Sequence, residues 1–127
     1  MKILVVHRQK TTVEAIQSVL SRCKPVVRYA DSGLDGLLTS RIEHFDLIIC
    51  GTDLPVITGF ELVRSIRTNS VNRTATVFFL NDETDGKTHQ LSSPLGVSAV
   101  LNMEDISERL ADLVDASVKS TKSGNLH

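Results

Sequence analysis

The sequence predicts an α/β fold in which a doubly wound, five-stranded parallel sheet is covered by five helices. Two observations support this prediction. Short apolar runs alternate five times with segments of helical periodicity, and most positions within each run are apolar, as expected of strands buried on both faces. Because crossovers between parallel strands are right-handed and unknotted, the expected strand order is 2-1-3-4-5. The predicted arrangement is therefore flavodoxin-like.

The first two strand–helix units occupy the N-terminal third of the chain. Residues 2–6 form an apolar run rich in β-branched residues and predict the first strand. Thr11, with Glu14 three residues later, matches a capping box and predicts a first helix over residues 12–22. Residues 26–30 predict the second strand. The second helix is indicated by large aliphatic residues that repeat as one helical face, namely Leu34, Leu37, Leu38 and Ile42.

The third unit has the clearest pattern. Residues 46–50 predict a strand with apolar side chains on both faces. After a loop that contains a proline, Thr58 and Glu61 supply a second capping box. The helix behind this box carries its apolar residues at Leu62, Val63 and Ile66.

Two further strands and two further helices complete the predicted sheet. The strands are expected over residues 75–80 and 99–101. The helix between them, over residues 84–93, is weakly indicated because Leu91 is its single good apolar anchor. The last helix is predicted over residues 104–118 from an apolar stripe made by Ile106, Leu110, Leu113 and Val114.

The chain is predicted to form one domain over residues 1–118, followed by a polar tail or linker over residues 119–127. Its longest apolar runs are much shorter than a membrane span, and charged residues directly follow the first strand, unlike a secretory signal. We therefore expect a cytoplasmic protein that does not contact membranes. Cys23 and Cys50 lack CxxC spacing, which argues against a zinc site or a disulfide framework.

The residues that follow the strands predict where ligand chemistry would lie. In a doubly wound sheet, ligands bind beyond the carboxyl ends of the strands, near the point where the strand order reverses between the first and third strands. Polar and small residues are expected at this rim, and they are His7, Arg8, Gly51, Thr52, Asp53, Asn81, Asn102 and Met103.

Residues 46–67, DLIICGTDLPVITGFELVRSIR, resemble the third strand, proline-containing loop and third helix of a response-regulator receiver domain of the CheY-like type. Pro55 and Gly59 stand at the family's positions, and residues 81–96 have the family's spacing between its switch residue and the glycine before the fifth strand. The resemblance extends over residues 2–117. It implies a two-component signalling domain that takes a phosphoryl group from a histidine kinase and passes the signal on through a changed surface.

The same resemblance locates the positions of the phosphorylation site, and each carries another residue in this chain. Where the family has two acidic residues that bind magnesium, this chain has His7 and Arg8. The family's acceptor aspartate corresponds to Gly51 and its switch hydroxyl to Asn81. Its aromatic residue corresponds to Val100 and its lysine to Met103. Glycine supplies no nucleophilic oxygen, and Mg²⁺ prefers carboxylate ligands to a cationic side chain. The sequence therefore predicts a degenerate pseudo-receiver with no catalytic residue, no metal and no cofactor, which is not an enzyme.

The function predicted from these changes is a phosphorylation-independent protein–protein interaction module, and two alternatives stay open. Asp53 lies two residues after Gly51 and could be a displaced phosphoacceptor, although loop aspartates commonly hold a turn and Arg8 is an available partner. In the other alternative, the cationic rim formed by His7 and Arg8 senses an anion or a nucleotide.

The charge distribution predicts a partner surface. Residues 82–115 carry eight acidic and two basic side chains, whereas residues 1–75 carry seven acidic and ten basic ones. With no hydroxyl at Asn81 and no ring at Val100, the face made by the fourth helix, fifth strand and last helix is expected to be fixed. We expect a basic protein partner on this face and no direct nucleic-acid binding, while homodimerisation stays open. Its acidic residues are Asp82, Glu83, Asp85, Glu104, Asp105, Glu108, Asp112 and Asp115.

Overall fold

The computed structural model describes residues 1–81 and 86–125, and within them it confirms the predicted five-stranded parallel sheet. The strands are β1 (Lys2–Val6), β2 (Val26–Ala30), β3 (Leu47–Gly51), β4 (Thr76–Leu80) and β5 (Ala99–Leu101). Their order is β2-β1-β3-β4-β5, as the sequence predicts. This order makes β1 and β3 neighbours and brings their carboxyl ends together.

The helices of the described residues are α1 (Lys10–Leu20), α2 (Gly33–Ile42), α3 (Gly59–Asn69), α4 (Gly86–Ser92), α5 (Met103–Glu108) and α6 (Leu110–Asn125). The prediction of a single last helix was wrong, because α5 ends at Arg109, whose φ of −121° is not helical. A new helix, α6, then begins at Leu110. This last helix reaches Asn125, within the segment predicted as a tail or linker. In the described part of the chain, no helix combines the length and the apolar character that a membrane crossing requires.

Each face of the sheet has its own apolar core. Alternate side chains of β1 point to opposite faces, so Ile3 and Val5 pack in the core that contains Ile16 of α1. Leu4 and Val6 pack in the other core, with residues of α3. The first core also includes residues of α5 and α6. Burial on both faces explains the nearly continuous apolar runs of β1, β3 and β4, whereas most residues of β2 are exposed or half buried.

Helix α2 turns a different face to the core from the one predicted. Leu34 and Leu38 are about half exposed, and Ile42 is 85% exposed. Gly36 faces the sheet instead, and a Cβ atom at this position would lie 2.9 Å from a methyl group of Val6. The helix approaches β1 so closely that glycine is favoured at the contact. Of the four predicted aliphatic residues, Leu37 packs against the core and the other three are exposed.

The capping boxes were predicted with mixed success. Helix α1 begins at Lys10 and has Gln9 as its N-cap without a side-chain bond, so the predicted box of Thr11 and Glu14 does not form. Thr11 already lies in the first turn and cannot serve as a cap. The box of Thr58 and Glu61 is present at the start of α3. A further box, which the sequence analysis did not identify, joins Asn102 to Asp105 at the start of α5.

The amino end of the sheet is fixed by Asn72, whose side chain is fully buried. Its Oδ1 accepts a hydrogen bond from the Phe45 backbone N–H at 2.6 Å. Its Nδ2 donates to the carbonyl oxygens of Ser40 and Glu43 at 2.7 and 2.9 Å. One amide therefore satisfies three backbone groups at the end of α2 and the start of the β3 segment.

Arg67 of α3 makes a second set of bonds to backbone carbonyls. Its guanidinium donates to Ala75 and Arg73, next to β4, and to Leu95 and Gly96, before β5. Burial lowers the pKa of Arg67. We refer to Asn72, Arg67 and their backbone partners as the amino-end network.

Candidate functional site

The carboxyl ends of β1, β3 and β4 bring the predicted rim residues together. Val6 of β1 pairs with Cys50 of β3, and Gly51 of β3 pairs with Leu80 of β4. The three strands therefore end at the same height along the sheet. Beyond them lies a cavity of about 640 Å³, which we call the rim cavity. Its lining includes the predicted residues His7, Arg8, Thr52, Asp53 and Asn81.

His7 covers Gly51 at the position that the resemblance assigns to the acceptor aspartate. A Cβ atom built on Gly51 would lie 2.8 Å from Cδ2 and 3.2 Å from Nε2 of the His7 ring. The ring is half buried, and its Nδ1 accepts a hydrogen bond from the Gln9 backbone N–H at 3.1 Å. The imidazole thus occupies space that a side chain at position 51 would need.

Arg8 and Asp53 form an ion pair at the mouth of the rim cavity. Arg8 Nη2 lies 2.8 Å from Asp53 Oδ2, while the Arg8 side chain is 48% exposed and that of Asp53 is 85% exposed. This is the pairing that the sequence analysis considered for Asp53. An ion pair so open to water contributes roughly 0–1 kcal/mol to stability.

The remaining positions of the resemblance make local contacts. Asn81 Nδ2 donates to Thr88 Oγ1 of α4 at 2.7 Å. Met103 Sδ accepts a hydrogen bond from the buried Thr12 hydroxyl of α1 at 3.4 Å. Val100 is half buried against the core that contains α3. Each of these side chains therefore makes a contact with a neighbouring element of the fold.

Magnesium, the ion that the resemblance implies, does not fit the side chains that the structure describes at this rim. Two acidic ligands would be needed after β1, where the chain has His7 and Arg8. Asp53 is the carboxylate among the described residues that line the rim cavity, and it is already paired with a cation. Within the described residues there is no group of three side chains suited to hold a metal ion. Among the described residues of the lining, two cations, Arg8 and Lys87, stand against one carboxylate.

The rim cavity also contains residues that the sequence analysis did not select. Lys87 and Thr88 of α4 line one side, and Phe60 of α3 and Leu91 of α4 add apolar surface. Their position in the sequence could have indicated them. Lys87 and Thr88 lie in the first turn of the helix after β4, and hence near the carboxyl end of β4.

The cysteines lie away from the rim chemistry. Cys50 is buried in β3, and burial raises the pKa of its thiol to about 12. Cys23 is half buried, and both thiols are free. Neither is exposed as a thiolate nucleophile.

The acidic residues predicted to form one face differ in their exposure and contacts in the structure. Glu104, Glu108 and Asp112 are exposed on α5 and α6. Asp105 instead caps α5 and lies 3.6 Å from the Arg109 guanidinium. Asp115 lies 4.0 Å from Cys23 Sγ, on the side of α6 that faces α1. The predicted residues Asp82, Glu83 and Asp85 lie outside the described residues.

The family model for the response regulator receiver domain matches residues 3–112, so the chain belongs to this family. Among curated proteins, the chain is 37% identical to the transcriptional regulatory protein CusR of Escherichia coli over 67 residues, which is 53% of this chain and 30% of that protein. The probable transcriptional regulatory protein SilR of Salmonella typhimurium is 34% identical over a segment of the same length. The chain spans less than a third of the length of these relatives.

Solved structures give the same family fold. Chemotaxis protein CheY4 of Vibrio cholerae is 26% identical with a TM-score of 0.75, covering 86% of this chain and 94% of that one. The signal receiver domain of a putative LuxO repressor protein from Vibrio parahaemolyticus has a TM-score of 0.85 at 17% identity, covering 98% of this chain and 95% of that one. The second likeness is one of fold alone.

Proposed function

We propose that this receiver domain is a pseudo-receiver that acts as a phosphorylation-independent protein interaction module in signalling of the two-component type. The observation that carries the proposal is the His7 ring, which lies over Gly51 where a phosphoacceptor side chain would stand. Phosphoryl transfer requires a nucleophilic oxygen, and glycine has none to offer. Among the described residues that line the rim cavity, the carboxylate is that of Asp53, and it is paired with Arg8.

The contacts around the fourth helix support a fixed surface. Asn81 bonds to Thr88 on α4, and the Arg67 guanidinium bonds to Leu95 and Gly96 between α4 and β5. Val100, on β5, has no ring that could move between two positions. A switch needs two alternative arrangements of such contacts, and we propose that these side chains keep a single one.

The exposed carboxylates favour a basic partner on this fixed surface. Glu104, Glu108 and Asp112 project into solvent from α5 and α6. An acidic patch accelerates the approach of a basic protein, and salt weakens that steering. Because the relatives CusR and SilR are named as transcriptional regulatory proteins, we propose a basic protein of transcription control as the first partner to test.

Charge reversal on the acidic face tests the proposal. With a captured partner in hand, the double variant Glu108→Lys/Asp112→Lys should slow its association about 10-fold, since rim charges act mainly on the association rate. A matched reversal at Glu14 and Asp31, which are exposed elsewhere on the domain, should have little effect. Both variants should keep the melting temperature, because none of these side chains is buried.

Two results would refute this assignment. Binding that resists the reversal but is lost on Arg64→Glu, an exposed position on α3, would move the partner to another face. Binding that requires a phosphoryl donor would remove the claim of phosphorylation independence.

A further inference from the structure

The rim cavity has the size and the mixed lining of a small-molecule site. At about 640 Å³, it lies within the range of roughly 300–1,000 Å³ that is usual for ligand pockets. The loops after β1 and β3 supply polar side chains, while α3, β4 and α4 supply apolar ones. Such sites bind a ligand through apolar contact and orient it with a few polar groups.

Among the described residues of the lining, the charged side chains favour an anion. Arg8 and Lys87 are cations on different sides of the cavity, and Asp53 is the carboxylate of the described lining. Thr52 is buried within the lining and presents a hydroxyl. Arginine, with its planar fork of donors, matches both carboxylate and phosphate oxygens.

Arg8 can turn from Asp53 to a ligand at little cost. Both side chains of this ion pair are exposed, so water would solvate Asp53 once Arg8 has turned away. An ion pair so exposed to water contributes little to stability, so little is lost when Arg8 leaves Asp53 for a ligand. Asp53 thus holds the guanidinium at the mouth of the cavity without blocking its use.

The apolar lining requires more than an inorganic ion. Phe60 is half buried and packs edge-on against the ring of Phe79, with 5.2 Å between centroids. Leu80 ends β4 below it, and Leu91 of α4 is 42% exposed toward the same cavity. A phosphate ion would leave this surface in contact with water, whereas a flat apolar group would cover it.

We propose that the rim cavity binds a small organic anion, in which one carboxylate or phosphate is joined to a flat apolar body. Arg8 and Lys87 bind the anionic group, and Phe60, Leu80 and Leu91 contact the apolar body. The proposal concerns ligand binding at the rim and makes no claim that the interaction surface changes. It goes beyond the interaction function and does not rest on it.

Nuclear magnetic resonance titration of the 127-residue chain tests the proposal with four probes. These are 2-naphthoate, 2-naphthyl phosphate, the neutral 2-naphthalenemethanol and inorganic phosphate. The two naphthyl anions should give saturable shifts at the amides of Thr52, Phe60 and Lys87. The neutral alcohol and inorganic phosphate should each bind about 10-fold more weakly, because each lacks one of the two kinds of contact. Comparison of the two anions identifies carboxylate or phosphate as the preferred group.

Variants assign the contacts. Arg8→Gln and Lys87→Gln should each weaken the better anion by about 5-fold to 10-fold, and Leu91→Ala should weaken both naphthyl anions. The control is Arg22→Gln, which removes one exposed arginine at the other end of α1 and should change nothing. The proposal is overturned if neither anion binds with a Kd below about 5 mM, because a higher Kd is weaker than ordinary ligand binding. It is equally overturned if binding survives in the Arg8→Gln/Lys87→Gln double variant.

Discussion

The two ends of the parallel sheet are built on different principles. At the amino end, Asn72 and Arg67 bind backbone carbonyl and amide groups from distant parts of the chain, and Asn72 is fully buried. At the carboxyl end, Arg8 and Asp53 pair in the open, beside a cavity. From this comparison we expect the amino-end network to contribute more to the stability of the domain than the side chains of the carboxyl end do. Substitutions at the carboxyl end are therefore expected to have smaller effects on the free energy of unfolding.

The largest expected effect is that of Asn72→Ala. This substitution leaves the Phe45 N–H and two carbonyl oxygens without their partner in a buried site, and should lower the free energy of unfolding by about 3 kcal/mol. Urea denaturation measures the loss. The matched substitution at the carboxyl end, Asn81→Ala, should cost about 1 kcal/mol. Equal losses at the two positions would contradict the comparison.

A slightly smaller effect is expected for Arg67→Gln. The shorter, neutral side chain cannot reach the four carbonyl oxygens that the guanidinium binds, so the free energy of unfolding should fall by about 2 kcal/mol. Arg8→Gln is the control at the other end and should change it by less than about 0.5 kcal/mol. If Arg8→Gln proves as destabilising as Arg67→Gln, the rim contributes more to stability than its exposure allows.

Gly51→Asp should destabilise the domain by about 1–2 kcal/mol, because the new side chain must displace the His7 ring. It should also fail to restore phosphorylation, since the acidic metal ligands after β1 remain absent. Adding His7→Ala should remove most of the stability loss in a double-mutant cycle. If the effects of the two substitutions on the free energy of unfolding simply add, the His7 ring does not compete for this space.

The smallest effect concerns Glu43, at the amino end. The Lys2 ammonium, with a contribution from Arg28, lowers the pKa of Glu43 below its ordinary value of 4.5. A lowered pKa in the folded state gives stability that is present above pH 4.5 and is lost as the pH falls through the folded-state pKa. Glu43→Gln should therefore flatten the decline of the melting temperature below that pH. Glu14→Gln, an exposed carboxylate of α1, should leave the decline in place.

Local patterns made much of the fold predictable. The buried run of β3 and the capping box of Thr58 and Glu61 are read from neighbouring residues, and both are confirmed. The orientation of α2 could not be read this way, because it depends on the distance between Gly36 and Val6 across two elements. Periodicity shows that a helix has an apolar face, but the neighbouring element decides which face is buried.

The site was predictable in its members but not in its contacts. Resemblance and strand order were enough to bring His7, Gly51 and Asn81 to one rim. The position of the His7 ring over Gly51 depends on packing between β1 and β3, for which the sequence carries no signal. The amino-end network was missed for a similar reason, since Asn72 binds groups 27 to 32 positions away.

The central claim, that this receiver acts without phosphorylation, is tested most directly by exposing the chain to acetyl phosphate and magnesium. Intact mass and amide spectra are then recorded, with a typical receiver domain treated in parallel as the positive control. We predict no added phosphoryl group and no change in the amide signals of β5 and α5. Stable incorporation of one phosphoryl group, at Asp53 or elsewhere, together with shifts on that face, would contradict the account.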